Sequence, residues 1–133
     1  MLKKRWKVDK RKPHVTLVKM AKTSKLPHSE SAIIPKRKLA DYLLSEKHPV
    51  GKSKAKFFYK IGFNKTNIDL LEKEFIAVAQ TCNVETILNT QYGKNYVIKG
   101  SITTPSGSMV KLITVWFTRK GTNSPSFVTA YPV

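Results

Sequence analysis

Apolar positions change their period once along this chain. PKRKLADYLLSE carries Leu39, Tyr42, Leu43 and Leu44 at helical spacing, with Pro35 at the first helical position, and stops at HPVG, where Pro49 and Gly51 break it. A second helix is predicted through KSKAKFFYKIG, with Ala55, Phe57, Phe58 and Ile61 facing in and Gly62 closing it. Thr66 or Asn67 can cap a third, NIDLLEKEFIAVAQTC, apolar at Leu70, Leu71, Phe75, Ile76, Val78 and Ala79. From Val84 the period becomes that of strands. VETILNTQ and NYVIKGSI join through YGK, whose Gly93 suits a turn; TTPSG leads into SMVKLITVWFTRK, and KGTNSP into SFVTAYPV. Helices first and strands second predict an α+β domain, with three helices packed on one face of a four-stranded antiparallel sheet.

Alternation assigns the faces of the sheet. Ile113, Val115 and Phe117 share one side of the third strand, as do Val128 and Ala130 on the fourth, and these are expected to meet the helices. The other side then presents Thr114 and Trp116 beside Thr129 and Tyr131, hydroxyls and aromatics that read as a ligand platform. The same residue types also simply suit strands.

Charge changes the picture most. Of the 133 residues, 25 are Lys or Arg and 8 are Asp or Glu, a formal net charge of +17. Such a charge repels itself in a compact state and points to a polyanionic partner. Residues 1–25 contribute +9 and residues 26–133 contribute +8, so the domain is basic without its N-terminal stretch. Residues 1–27 read as a basic arm ending in a linker and 28–133 as one domain. Pro13 and the interleaved polar residues spoil an amphipathic membrane helix, and no run approaches the roughly 20 apolar residues a span needs. MLKKRWKVDK lacks the apolar stretch of a signal peptide, so export would use another route. Cys82, the only cysteine, suits a reducing cytoplasm. These features favour nucleic acid over membrane as partner.

The densest polar cluster is HPVGKSKAK, residues 48–56. Lys52, Ser53 and Lys54 at a helix start offer a phosphate cradle, which is not the phosphate loop of nucleotide hydrolases because Lys47 stands where that motif requires glycine. His48 can exchange protons near neutral pH, as RNA cleavage by internal 2′-hydroxyl attack requires, or can cap its loop. The carboxylates are scattered, no His/Cys cluster has zinc spacing, and Ser53 lacks a nucleophile-elbow motif. No cofactor and no metal are expected.

KLADYLLSEKHPVGKSKAKFFYKIGF, YGKNYVIKG, VKLITVWF and SFVTAYPV together resemble the bacterial domain of unknown function 6883 family, over about residues 26–133. That family resembles in turn the toxin-type ribonuclease fold of barnase, EndoU, colicin and RelE nucleases. The resemblance implies metal-independent RNA cleavage by a toxin or effector domain with an acidic immunity or antitoxin partner, acting in the cytoplasm of the producing or a target bacterial cell as the toxin end of a larger secreted protein. On the family pattern His48, Gly51, Lys54, Thr114, Trp116, Thr129 and Tyr131 fall on matching positions. The paired histidines of EndoU enzymes are not matched, since His14 and His28 fall in the arm and linker.

The expected site is therefore His48 as general acid or base, Lys54 on the transition-state charge, Thr114 and Thr129 on phosphate oxygens, and Tyr131 aligning a base. Lys52, Ser53, Lys56, Lys111 and Trp116 complete the RNA- and phosphate-binding set. The alternatives are a non-catalytic RNA- or DNA-binding module and a protein-interaction domain whose arm alone meets polyanions.

Overall fold

The structure is a computed structural model that describes residues 24–133. Expectations that fall on the arm, His14 among them, lie outside the described residues. Ser24 to Pro27 already belong to the fold: Val84 N–H bonds to the Ser24 carbonyl, Lys25 bridges Asn83, and Leu26 is buried.

Helix α1 (Lys36–Lys38) runs straight into a π-helical stretch (Leu39–Leu43). The widened turn is closed by Leu44 N–H on the Leu39 carbonyl at 2.8 Å, a five-residue step. Helix α2 spans Gly51–Lys60 and helix α3 spans Ile68–Thr81. Strands β1 (Val84–Asn89), β2 (Gly93–Thr103), β3 (Met109–Arg119) and β4 (Ser126–Pro132) follow in sheet order β1-β2-β3-β4, all antiparallel. The α+β architecture is the one the change of period predicts. Asn64 caps the turn before α3, accepting from Thr66 N–H at 2.8 Å, while Asn67 returns the bond to Asn64 N–H at 2.8 Å.

An aromatic cluster joins helices to sheet. Phe75 of α3 stacks on Phe127 of β4 at 5.0 Å, with Phe58 of α2 and Trp116 of β3 edge-on to them at 6.1 and 5.5 Å. Glu74 accepts Thr103 N–H at 2.8 Å and fixes α3 to β2.

The face of β3 is the reverse of the expectation. Leu112, Thr114 and Trp116 are fully buried beneath the helices, whereas Ile113, Val115 and Phe117 are half-buried on the opposite face. The sequence is apolar on both sides there, and the polar atoms of the inner side satisfy one another. Trp116 Nε1–H donates to Thr114 Oγ1 at 2.9 Å, and Thr114 Oγ1 donates to the Ile98 carbonyl at 3.3 Å. On β4 only Ala130 of the expected inward pair is buried; Val128 is half-buried. The ladder slips between Val115 and Trp116, so that Val115 pairs with Thr129 and Trp116 with Phe127, leaving Val128 as an unpaired bulge.

Candidate functional site

Two irregularities, the π stretch and the Val128 bulge, meet at one place. Between them the loop Ser45–Gly51 is held by its own side chains. Ser45 Oγ accepts Lys47 N–H at 3.1 Å and His48 N–H at 3.2 Å. His48 Nδ1 accepts Val50 N–H and Gly51 N–H, each at 3.0 Å, and so caps the start of α2. Gly51 must be glycine because a Cβ there would stand 1.9 Å from the Tyr42 carbonyl oxygen. The HPVG sequence therefore seats one helix start against the preceding helix.

The His48 ring stands edge-on to Tyr42, with centroids 4.9 Å apart. Tyr42 Oη is hydrogen-bonded to Thr129 Oγ1 at 3.0 Å, tying the π stretch to β4, and Lys38 Nζ lies 5.6 Å from the Tyr42 ring centroid. Arg37, Asp41, Val50 and Val128 complete the lining of a cleft of about 480 Å³. Two cations, one carboxylate, a phenol, a hydroxyl and an imidazole share this space.

His48 has a restricted chemistry in this setting. Two backbone donors on Nδ1 place the proton of the neutral ring on Nε2, and the ring is part of the cleft lining. Serving as a base through Nε2 would require a proton on Nδ1 and the loss of both bonds. The geometry suits a fixed donor to an anion better than a proton shuttle.

The other expected residues separate into five places. Thr129 shares the His48 cleft. Tyr131, two residues further along β4, carries Lys54 of α2 over its ring at 5.7 Å, which places that pair beside the cleft. Lys111 is exposed two residues beyond Ile113, the cross-strand partner of Tyr131, on the same face. Lys52, Ser53 and Lys56 line a different groove of about 340 Å³ with Glu46 and Tyr59. Tyr59 donates to the Leu44 carbonyl, and burial, helped by the Glu46 charge, pushes its phenol above 10.0. Thr114 and Trp116 are sealed in the core, with hydrogen-bonding capacity spent on each other and on Ile98, and neither opens onto the cleft.

The cleft residues that the sequence reading passed over are Arg37, Lys38, Asp41 and Tyr42. Their spacing by three and four along the first helix, just before HPVG, is the available signal. Among the described residues no three His, Cys, Asp or Glu side chains gather as a metal site, and no helix is long and apolar enough to cross a membrane.

The family model described as "Domain of unknown function (DUF6883)" matches residues 25–133, and the chain belongs to that family. No curated protein matches it. Among solved structures, a chain of the "Contact-dependent growth inhibition toxin - immunity protein complex from Klebsiella pneumoniae 342" is similar at a TM-score of 0.61 and 16% identity, covering 79% of this chain and 96% of that one. At that identity the two chains share the fold.

Proposed function

We propose that this domain is a toxin-type endoribonuclease that cleaves RNA by internal 2′-hydroxyl attack, using side chains of the His48 cleft in place of a metal ion. The observation that carries the reading is the Tyr42–Thr129 bond, on the wall of a cleft that His48 lines together with Arg37 and Lys38. Arg37 and Lys38 neutralise the phosphorane, and His48 Nε2–H and Thr129 hold its non-bridging oxygens. Asp41 is the carboxylate of the cleft and takes the 2′-hydroxyl proton. Tyr42 and Lys38 are the proton carriers left for the departing 5′-oxygen. The Lys54–Tyr131 pair aligns the neighbouring nucleotide.

The net charge of +17 suits both RNA and an acidic neutralising protein, and the likeness to a chain of a toxin–immunity complex supports the second partner. In that role the domain would work inside a target cell, as the toxin end of a larger secreted chain. One observation favours a second reading, a binding module without catalysis: His48 Nδ1 is already engaged twice, so the ring is no free acid–base couple. Incubation with total bacterial RNA in EDTA, followed by mapping of the ends, separates the two. Discrete fragments ending in 2′,3′-cyclic phosphate and 5′-hydroxyl are expected. RNA that is bound yet stays intact would leave the binding module.

A further inference from the structure

A second cleft, larger at about 550 Å³, lies at the far end of the sheet. Its walls are the β1–β2 turn and the β3–β4 turn, and Lys120 N–H ties one to the other through the Tyr92 carbonyl at 2.8 Å. A strap closes the side at His28, the one non-glycine residue with positive φ (58°) among the described residues. The strap then runs to Ile33, whose carbonyl accepts Phe127 N–H and whose N–H donates to Pro125, both at 2.9 Å. The cleft is thus preformed by bonds between segments distant in sequence.

Its chemistry is one-sided. Among the described residues, Lys94, Arg119 and Lys120 line it and no carboxylate does. Asn89, Asn123 and Thr118 add amides and a hydroxyl over a floor formed by the buried Tyr96. Cations without counter-charge select an anion, and the amides and hydroxyl suit the sugar and base edges attached to one. Thr118 lies three residues along β3 from Val115, the partner of Thr129, so the two clefts are offset by roughly 10 Å along the strand and their threonines face opposite sides of the sheet, which an RNA strand reaching both would have to round. The strap from His28 leads directly into α1 and the first cleft.

We propose that this cleft is a second RNA subsite, which holds a nucleotide and its phosphate a few positions along the strand from the one in the His48 cleft. It rests on RNA being the partner and not on cleavage. The test measures anisotropy of labelled 2′-O-methyl oligoribonucleotides of three and twelve nucleotides, which cannot undergo 2′-hydroxyl attack.

The double variant Arg119→Ala/Lys120→Ala should bind the twelve-mer about tenfold or more weakly and the trimer within about twofold of the unaltered protein. Lys65→Ala/Lys73→Ala removes the same charge from exposed positions lining neither cleft, and should weaken the twelve-mer by less than about threefold. Thr118→Val changes no charge and should weaken the twelve-mer by about threefold. Equal losses in the two double variants, equal losses on both oligonucleotides, or no binding at all would overturn the subsite. If the length-dependent loss appears in a protein that leaves RNA intact, the ribonuclease reading falls and the subsite stands. Cleavage without that loss retires the subsite alone.

Discussion

Trp116 donates its indole N–H to Thr114 at 2.9 Å inside the core, and Tyr42 shares a hydroxyl bond with Thr129 at 3.0 Å on the wall of an open cleft. Both pairs join an aromatic residue to a threonine of the sheet, and both threonines sit in the same kind of β-rich run. What separates them is the register of β3 on β4. Thr114 pairs with Ala130 on the helix side, while Thr129 pairs with Val115 on the other, next to the bulge at Val128. One pair spends its polar atoms on holding the sheet to the helices. The other ties the π-helical stretch to β4 on the wall of an opening. Residue type alone does not distinguish a hydroxyl buried in the core from one at a cleft; the strand face does.

Substitutions can break this contrast, beginning with the largest effect. Trp116→Ala empties the centre of the aromatic cluster and should cost about 3–5 kcal/mol of stability, read as a lowered urea midpoint. His48→Asn keeps a short acceptor for the Val50 and Gly51 N–H groups but removes the Nε2–H donor. It should lower RNA cleavage about 10²-fold or more at nearly unchanged stability. His48→Ala should add a stability loss of about 0.5–2 kcal/mol, because the helix start then loses its cap.

The two threonines should respond in opposite currencies. Thr114→Val strands the Trp116 indole N–H in the core, an expected cost of about 1–3 kcal/mol in unfolding experiments, with cleavage by the folded protein intact. Thr129→Val should stay within about 0.5 kcal/mol of the unaltered protein. It should lower cleavage about tenfold or more, because a phosphate ligand and the Tyr42 anchor go together. Matching stability losses in the two variants would dissolve the contrast.

The smallest effect is in alkali. Burial raises the Tyr96 phenol above 10.0, and burial with the Glu46 charge raises Tyr59 in the same direction. The folded state therefore holds these protons more tightly than the unfolded chain. That contribution is complete below pH 10.0 and is lost as pH rises through the folded values. Urea midpoints should begin to fall above about pH 10, and Tyr96→Phe should flatten the slope.

Element order was legible because the apolar period changes once, near Val84, and because Pro35, Pro49, Gly51 and Gly62 punctuate the helices. His48 and Gly51 stood out by their polar neighbours. The side of β3 was not legible: VKLITVWF is apolar on both faces, and nothing in it shows that Trp116 would find its partner in Thr114. The bulge at Val128 compounds the difficulty, since a one-residue slip changes the phase of everything before it on β4. Asp41 and Tyr42 were hidden for another reason. A π turn leaves no mark in spacing, yet it sets the direction in which those side chains project. The larger cleft is assembled from turns and a strap that only the fold brings together.

If His48 offers a fixed Nε2–H donor to a phosphate in the Tyr42–Thr129 cleft, long-range ¹H–¹⁵N NMR of its ring will show it while an uncleavable 2′-deoxy dinucleotide is titrated in. The expected spectrum has the proton on Nε2 and none on Nδ1 before and after binding, with the Nε2 proton shifting as the site fills. A proton found on Nδ1, or a His48 spectrum that does not move at saturating dinucleotide, would contradict it.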